Sequence, residues 1–81
     1  MNTYIPMHQL KIGQKATVKE LNNEGSMRRR LQDIGLIENS KIACVGRSPF
    51  GDPTAYLICG AVVAIRQRDA SYITVCIDKG D

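Results

Sequence analysis

Short apolar runs alternate with tight polar turns along the chain, and only one stretch carries a helical period. In Ser26–Ile37, SMRRRLQDIGLI, the apolar residues Met27, Leu31 and Ile34 recur at i, i+4 and i+7. At about 100° per residue they share a narrow arc, which predicts a short helix with one buried stripe. Arg28, Arg29, Gln32 and Asp33 point away from that stripe. Arg30 stands on its border, where the stem covers apolar surface and the head stays wet. Ser26 suits the N-cap. Gly35 suits the left-handed position past the helix end, with Leu36 folding back onto Leu31.

Elsewhere the period is two. Residues 1–6 read as frayed or loosely docked. Pro6 can begin a single helical turn, Met7–Leu10, with Leu10 and Ile12 turned inward. Gly13-Gln14 turns the chain into a strand over Lys15–Leu21, with Ala16 and Val18 on one face and Lys15, Thr17 and Lys19 on the other. Asn22–Gly25 is a polar loop, and Glu38-Asn39-Ser40 a turn. Lys41–Arg47 is the next strand, with Gly46 marking a bulge or bend. The cluster Ser48–Pro53 turns it into Ala55–Cys59, apolar on both faces, and Gly60 allows a tight return into Ala61–Ile65. Arg66–Ser71 reads as a short helical or 3₁₀ turn, Ile73–Ile77 as the last strand, and Asp78–Asp81 as a polar tail. Five short antiparallel strands with one helix inserted after the first predict a mainly β fold, a small barrel whose closure removes exposed edges.

Composition narrows the function. Eighty-one residues form one domain, 1–81, with little room for an enclosed active site. Net charge is +3, below the excess of a dedicated DNA-binding domain. The N-terminus does not read as a secretory signal, and no apolar run approaches the roughly 20 residues that span a bilayer, so a cytoplasmic chain is expected. Cys44, Cys59 and Cys76 are odd in number and lie in apolar runs, so they read as buried reduced thiols. No metal site and no cofactor site is expected, because no spacing supplies four ligands and His8 is the only histidine. His8 reads as a lone surface residue. No nucleophile–base pair can be built around it, and no GxxxxGK[ST] loop occurs, so no catalytic residue is assigned and the chain is not read as an enzyme.

Taken together, LKIGQKATV, GSMRRRLQDIGLIENSKI and RSPFGDPTAYLICGAVVAIRQRDASYITV resemble the ferrous iron transport protein A (FeoA) family, from about Leu10 to Val75. The most specific parts are the arginine-bearing helix ending in Gly-Leu and the Pro-x-Gly-Asp-Pro turn before two apolar strands. Asp52, Pro53, Gly60, Arg66 and Ala70 fall where that pattern wants them. Glu38-Asn39 departs from it, standing where the family often has Pro-Gly. The resemblance implies an SH3-like barrel, similar in fold to the one that ends the iron-dependent repressors. It also implies a small accessory of the membrane ferrous iron transporter FeoB, docking on its cytosolic, GTPase-bearing side and reaching the membrane only through that partner.

Five residues are candidates for partner binding. Arg28, Arg29 and Arg30 occupy the first turn of the expected helix, where its dipole disfavours cations by roughly a few tenths of a kcal/mol each. Asp33 can pair with Arg29 or Arg30 only in the weaker order. The run therefore reads either as a solvated face or as a docking surface, and an arginine finger acting on a GTPase is the extreme form of the latter. Phe50, the only phenylalanine, is either an exposed interface anchor or a cap on one barrel end. Asp52 belongs to the same turn. Tyr56 reads as core with a tethered hydroxyl. The alternatives are nucleic-acid binding along Arg28–Arg30, Arg66 and Arg68, for which stacking aromatics are scarce, and an iron-responsive regulatory module. A monomer or weak dimer is expected, with no nucleic acid as partner.

Overall fold

A computed structural model describes residues 3–78. The elements are β1 (Tyr4–Pro6), a 3₁₀ turn (Met7–Gln9), β2 (Lys15–Leu21), α1 (Gly25–Asp33), β3 (Lys41–Arg47), β4 (Thr54–Ile58), β5 (Ala61–Ile65), α2 (Gln67–Ala70) and β6 (Ile73–Ile77). All strand pairs are antiparallel, in the order β1-β6-β2-β3-β4-β5. The five longer strands are those expected. The sixth, β1, lies where a frayed end was expected, because Tyr4, Ile5 and Pro6 pair with Cys76, Val75 and Thr74. Met1 and Asn2, and the tail beyond Asp78, fall outside the described residues.

Two register shifts bend the sheet, one in β2 between Val18 and Glu20 and one in β3 between Cys44 and Gly46. The second is the bend expected at Gly46. Wrapped in this way, the strands enclose a core of Leu10, Ala16, Val18, Ile42, Tyr56, Ile58, Ile73 and Val75, with Leu31 and Leu36 brought in by α1 and its exit. Tyr56 is fully buried, and its hydroxyl donates to the Met7 carbonyl at 3.3 Å. This strand order, bent at two bulges and with a single helical turn before the last strand, is that of an SH3-like barrel. The barrel is not sealed: among the described residues no strand pairs with the outer edge of β5. Helix α1 stands on that flank instead, lining a groove with Val63, Ala64 and Ile65.

The exit of α1 is as expected. Leu36 N–H donates to the Leu31 carbonyl at 2.9 Å and Gly35 N–H to the Gln32 carbonyl at 3.0 Å, the paired bonds of a Schellman ending, with Gly35 at φ +93°. The next turn, where Glu38-Asn39 stands in place of Pro-Gly, is closed by its own bonds. Asn39 takes φ +72°, Ser40 N–H reaches the Ile37 carbonyl at 3.0 Å, and Ser40 Oγ donates to the Gly35 carbonyl at 3.0 Å.

Several expectations fail for local reasons. Ser26 is not the N-cap: Glu24 holds that position without a side-chain bond, and the helix is already running at Ser26. The arginines therefore sit in mid-helix, and Arg30 falls in the last turn, where the dipole favours it. Ile12 is 61% exposed. It lies inside a tight Lys11–Gln14 turn that bonds to itself and to β3, which leaves its side chain outside. Cys59 is exposed, because it is not the end of β4 but half of a two-residue turn, with φ +50° beside Gly60 at +81°. Cys44 and Cys76 are buried as expected.

That turn meets the helix exit closely. A Cβ at Gly35 would lie 2.5 Å from Cys59 Sγ. Gly35→Ala should therefore cost about 1–3 kcal/mol in denaturant unfolding, from positive φ and the collision together. In a Cys59→Ala background the cost should shrink; an equal cost in both backgrounds would mean the contact contributes nothing. Burial pushes the Tyr56 phenol up to about 12. The folded state thus favours the protonated phenol, so its contribution is whole below pH 10.0, the unfolded value, and is lost as pH rises towards about 12. The stability difference between wild type and Tyr56→Phe should be flat below that window and narrow within it. A difference that stays constant up to pH 12 would contradict the burial argument.

Candidate docking surface

Helix α1 presents its three arginines in different ways. Met27 and Ile34 are half-buried and Leu31 buried against the core, which fixes the rotation of the helix. Arg28 is not free: its Nη1 donates to the Leu21 carbonyl at 2.6 Å, tying α1 to the end of β2. Its stem lines a shallow groove with Gln32, Ile37, Glu38 and Asn39. Arg29 is exposed, with no hydrogen bond or ion pair from its side chain among the described residues, and Arg30 lines the groove beside β5. Asp33 pairs with neither Arg29 nor Arg30; among the described residues the one ion pair is Lys41–Asp78, at 3.6 Å.

The Ser48–Pro53 turn is bonded to itself and to α2. Gly51 N–H donates to the Ser48 carbonyl, Ser48 N–H to the Pro53 carbonyl, and Ser48 Oγ to the Asp52 carbonyl. Asp52 Oδ1 accepts from Gln67 N–H at 2.9 Å, so the carboxylate caps the first turn of α2. Phe50 projects from this braced turn, 95% exposed. Of its two readings the structure takes the exposed one: Phe50 does not cap the barrel. No hydrogen bond or ion pair joins Phe50 or Asp52 to the arginine run among the described residues, so the five candidates form two patches.

Between the patches lies α2. Arg66 and Asp69 line both the β5 groove, with Met27 and Arg30, and a second recess of about 610 Å³ with Asn22, Asn23, Glu24, Arg68 and Tyr72. Glu24 and Asp69 thus interrupt the basic residues, so Arg30, Arg66 and Arg68 do not form the unbroken cationic track that a nucleic-acid backbone follows. Asn23, in the expected polar loop, is buried, and its Nδ2 donates to the Asp69 carbonyl at 3.0 Å, pinning the β2–α1 loop to α2. His8 is half-buried rather than on the surface, with Nδ1 buried and unbonded. No group of three or more His, Cys, Asp or Glu is placed to hold a metal among the described residues. No helix among them is long and apolar enough to cross a membrane.

The sequence missed Asn23, Cys59 and the free edge of β5. Asn23 carries no signal distinguishing it from Asn22. The edge was hidden because an apolar strand reads alike whether one or both of its edges are paired.

The fold and surface define a small SH3-like barrel with a helix laid along one open sheet edge. Residues 5–76 match the FeoA domain model, and the chain belongs to that family. It is similar to a Porphyromonas gingivalis protein described as a fusion of Fe(2+) transport protein A and Fe(2+) transporter FeoB, with 29% identity over 69 residues. That match takes in 85% of this chain and 8% of the fusion protein's length. Among solved structures, FeoA protein from Chlorobium tepidum superposes with a TM-score of 0.89 at 35% identity, over 95% of this chain and 73% of that one. A zinc complex of FeoA from Stenotrophomonas maltophilia, described as an SH3 domain protein, shares the fold, with a TM-score of 0.68 and 22% identity over 96% of this chain and 89% of that one.

The bonds above separate structural from free candidates. Arg28→Ala should lower stability by about 1–2 kcal/mol through the lost bond to Leu21, and Asp52→Ala by about 1 kcal/mol through the lost cap. Arg29→Ala should change it by less than about 0.5 kcal/mol. Chemical denaturation of the three variants side by side checks this, and equal values for Arg28 and Arg29 would refute the assignment.

Proposed function

We propose that the chain is a non-catalytic cytoplasmic accessory of ferrous iron uptake, which docks on the cytosolic face of a FeoB-type transporter and modulates it. The observation that carries this reading is the fusion protein, in which a FeoA-like segment and a FeoB transporter are one polypeptide. Fusion holds two modules at high effective concentration, which is useful when they act by touching. Supporting it, the surface offers an exposed cation at Arg29, without an ion pair among the described residues, and an exposed aromatic on a braced turn at Phe50. Arg29 and Arg30 meet an acidic patch, while Phe50 fills an apolar pocket as the central anchor. Arg28 and Asp52 act behind them, holding α1 and the turn in place.

The test is binding of the purified chain to the cytosolic domain of FeoB from the same organism, with GDP, a non-hydrolysable GTP analogue or no nucleotide, at two salt concentrations. Binding should weaken with salt. Arg29→Glu should weaken it about threefold to tenfold and flatten its salt dependence. Phe50→Ala should weaken it by about tenfold or more without that flattening. Neither exposed variant should move the melting temperature, so lost binding would not be lost fold. No binding in any nucleotide state would overturn docking on this domain.

A further inference from the structure

The groove between α1 and β5 combines two features that natural sheets keep apart. The first is an edge whose own sequence carries no protection and which α1 flanks without filling the space beside it. Between Gly60 and Arg66, β5 reads AVVAI, without a charge, a proline or a bulge, the devices that normally blunt a free edge. Val62 is 66% exposed. The second is a ready floor: Met27, Ile34 and Val63 face this groove and are only half-buried, in a space of about 340 Å³.

The hairpin fixes which backbone groups are free. The two-residue turn Cys59-Gly60 makes Ile58 and Ala61 a hydrogen-bonded pair. Antiparallel pairs alternate, so Val63 and Ile65 also bond to β4, while Val62 and Ala64 turn their N–H and C=O outward. Side chains alternate too. On an added strand, every second residue would drop onto Met27, Ile34 and Val63, and the others would share the solvent face with Val62 and Ala64.

We propose that this groove takes an extended segment of a partner protein by strand addition between α1 and β5, and that the segment alternates apolar and acidic side chains. The acidic preference comes from Arg30 on the helix wall and Arg66 at the strand end, set against the single carboxylate of Asp69. The same charges argue against a second copy as occupant: its β5, AVVAI, carries no acid to answer Arg30 and Arg66. The inference rests on the docking role proposed above and names its mode.

The test needs no transporter. Isotope-labelled protein is titrated, with amide and methyl shifts followed, using an acetylated, amidated hexapeptide alternating Glu and Val. A Lys-Val counterpart and a Glu-Val copy N-methylated at alternate residues serve as controls. The Glu-Val peptide should shift Val62, Ala64, Met27 and Ile34, and the Lys-Val peptide should bind at least about tenfold more weakly. The N-methylated copy should not bind, since it cannot donate to the edge. Ala64→Pro removes one outward N–H and leaves the β4 bonds, so it should abolish binding with the melting temperature kept. Arg30→Glu, on the exposed helix wall, should erase the preference for Glu over Lys even if Ala64→Pro unfolds. Shifts centred elsewhere, equal binding of the N-methylated copy, or no binding by any peptide would overturn the proposal. So would a dilution-dependent β5 dimer by sedimentation. Transporter binding without peptide binding would remove the groove and leave the docking role; peptide binding without transporter binding would do the reverse.

Discussion

The exit of α1 at Gly35 is the constraint on which the rest of the surface depends. Three things meet there. The helix closes with paired backbone bonds to Leu31 and Gln32, Ser40 Oγ donates to the Gly35 carbonyl, and the Cys59-Gly60 turn presses its thiol where a Cβ would stand. A helix of nine residues has little stability of its own and must be held by tertiary contacts. This junction holds one end, and the Arg28 bond to the Leu21 carbonyl holds the other side. With both in place the rotation of α1 is set: Leu31 faces the core, Arg29 faces water, and Arg30 lies beside β5. Loosening the junction would blur the position of every arginine at once.

A second brace acts on the opposite side of α2. Asp52 caps Gln67 N–H, and Asn23 donates to the Asp69 carbonyl, so the β3–β4 turn and the β2–α1 loop are both fastened to one short helix. Four residues of helix would be marginal alone. Here α2 acts as a cross-tie whose termini are satisfied from elsewhere, and Phe50 is rigidly displayed because the turn beneath it is fastened. An exposed aromatic on a floppy loop would lose ordering entropy on binding; on a braced turn it has less to lose.

Most of this fold was legible because it is written in local rules. Alternation gave the five longer strands, Gly46 announced a bend, and Gly35 with Leu36 announced the helix exit down to its bonds. What escaped depends on partners distant in sequence. β1 exists because β6 offers an edge some 70 residues away, which no pattern in Tyr4–Pro6 records. Cys59 reads as one more apolar strand residue, and only the pairing of Ile58 with Ala61 shows that it must turn. The candidate site was legible as residue types and not as roles. Arg28 and Arg29 are neighbours of identical chemistry, yet one is a strut and the other is free, a difference set by where the Leu21 carbonyl happens to lie.

The departures from local economy all lie on the outside. Asn39 and Cys59 accept left-handed backbone, but each is repaid by a closed turn. Phe50, Val62 and Arg29 have no such return among the described residues. An isolated exposed apolar residue is ordinary. An unguarded apolar edge alongside a half-covered helix stripe is less so, because it risks association with any passing strand. Selection for solubility would have placed a lysine or proline in β5; the chain instead places arginines around it, at Arg30 and Arg66. Such a rim disfavours basic strands while leaving the groove open to an acidic one, so the charges act as a filter on what the edge may pair with.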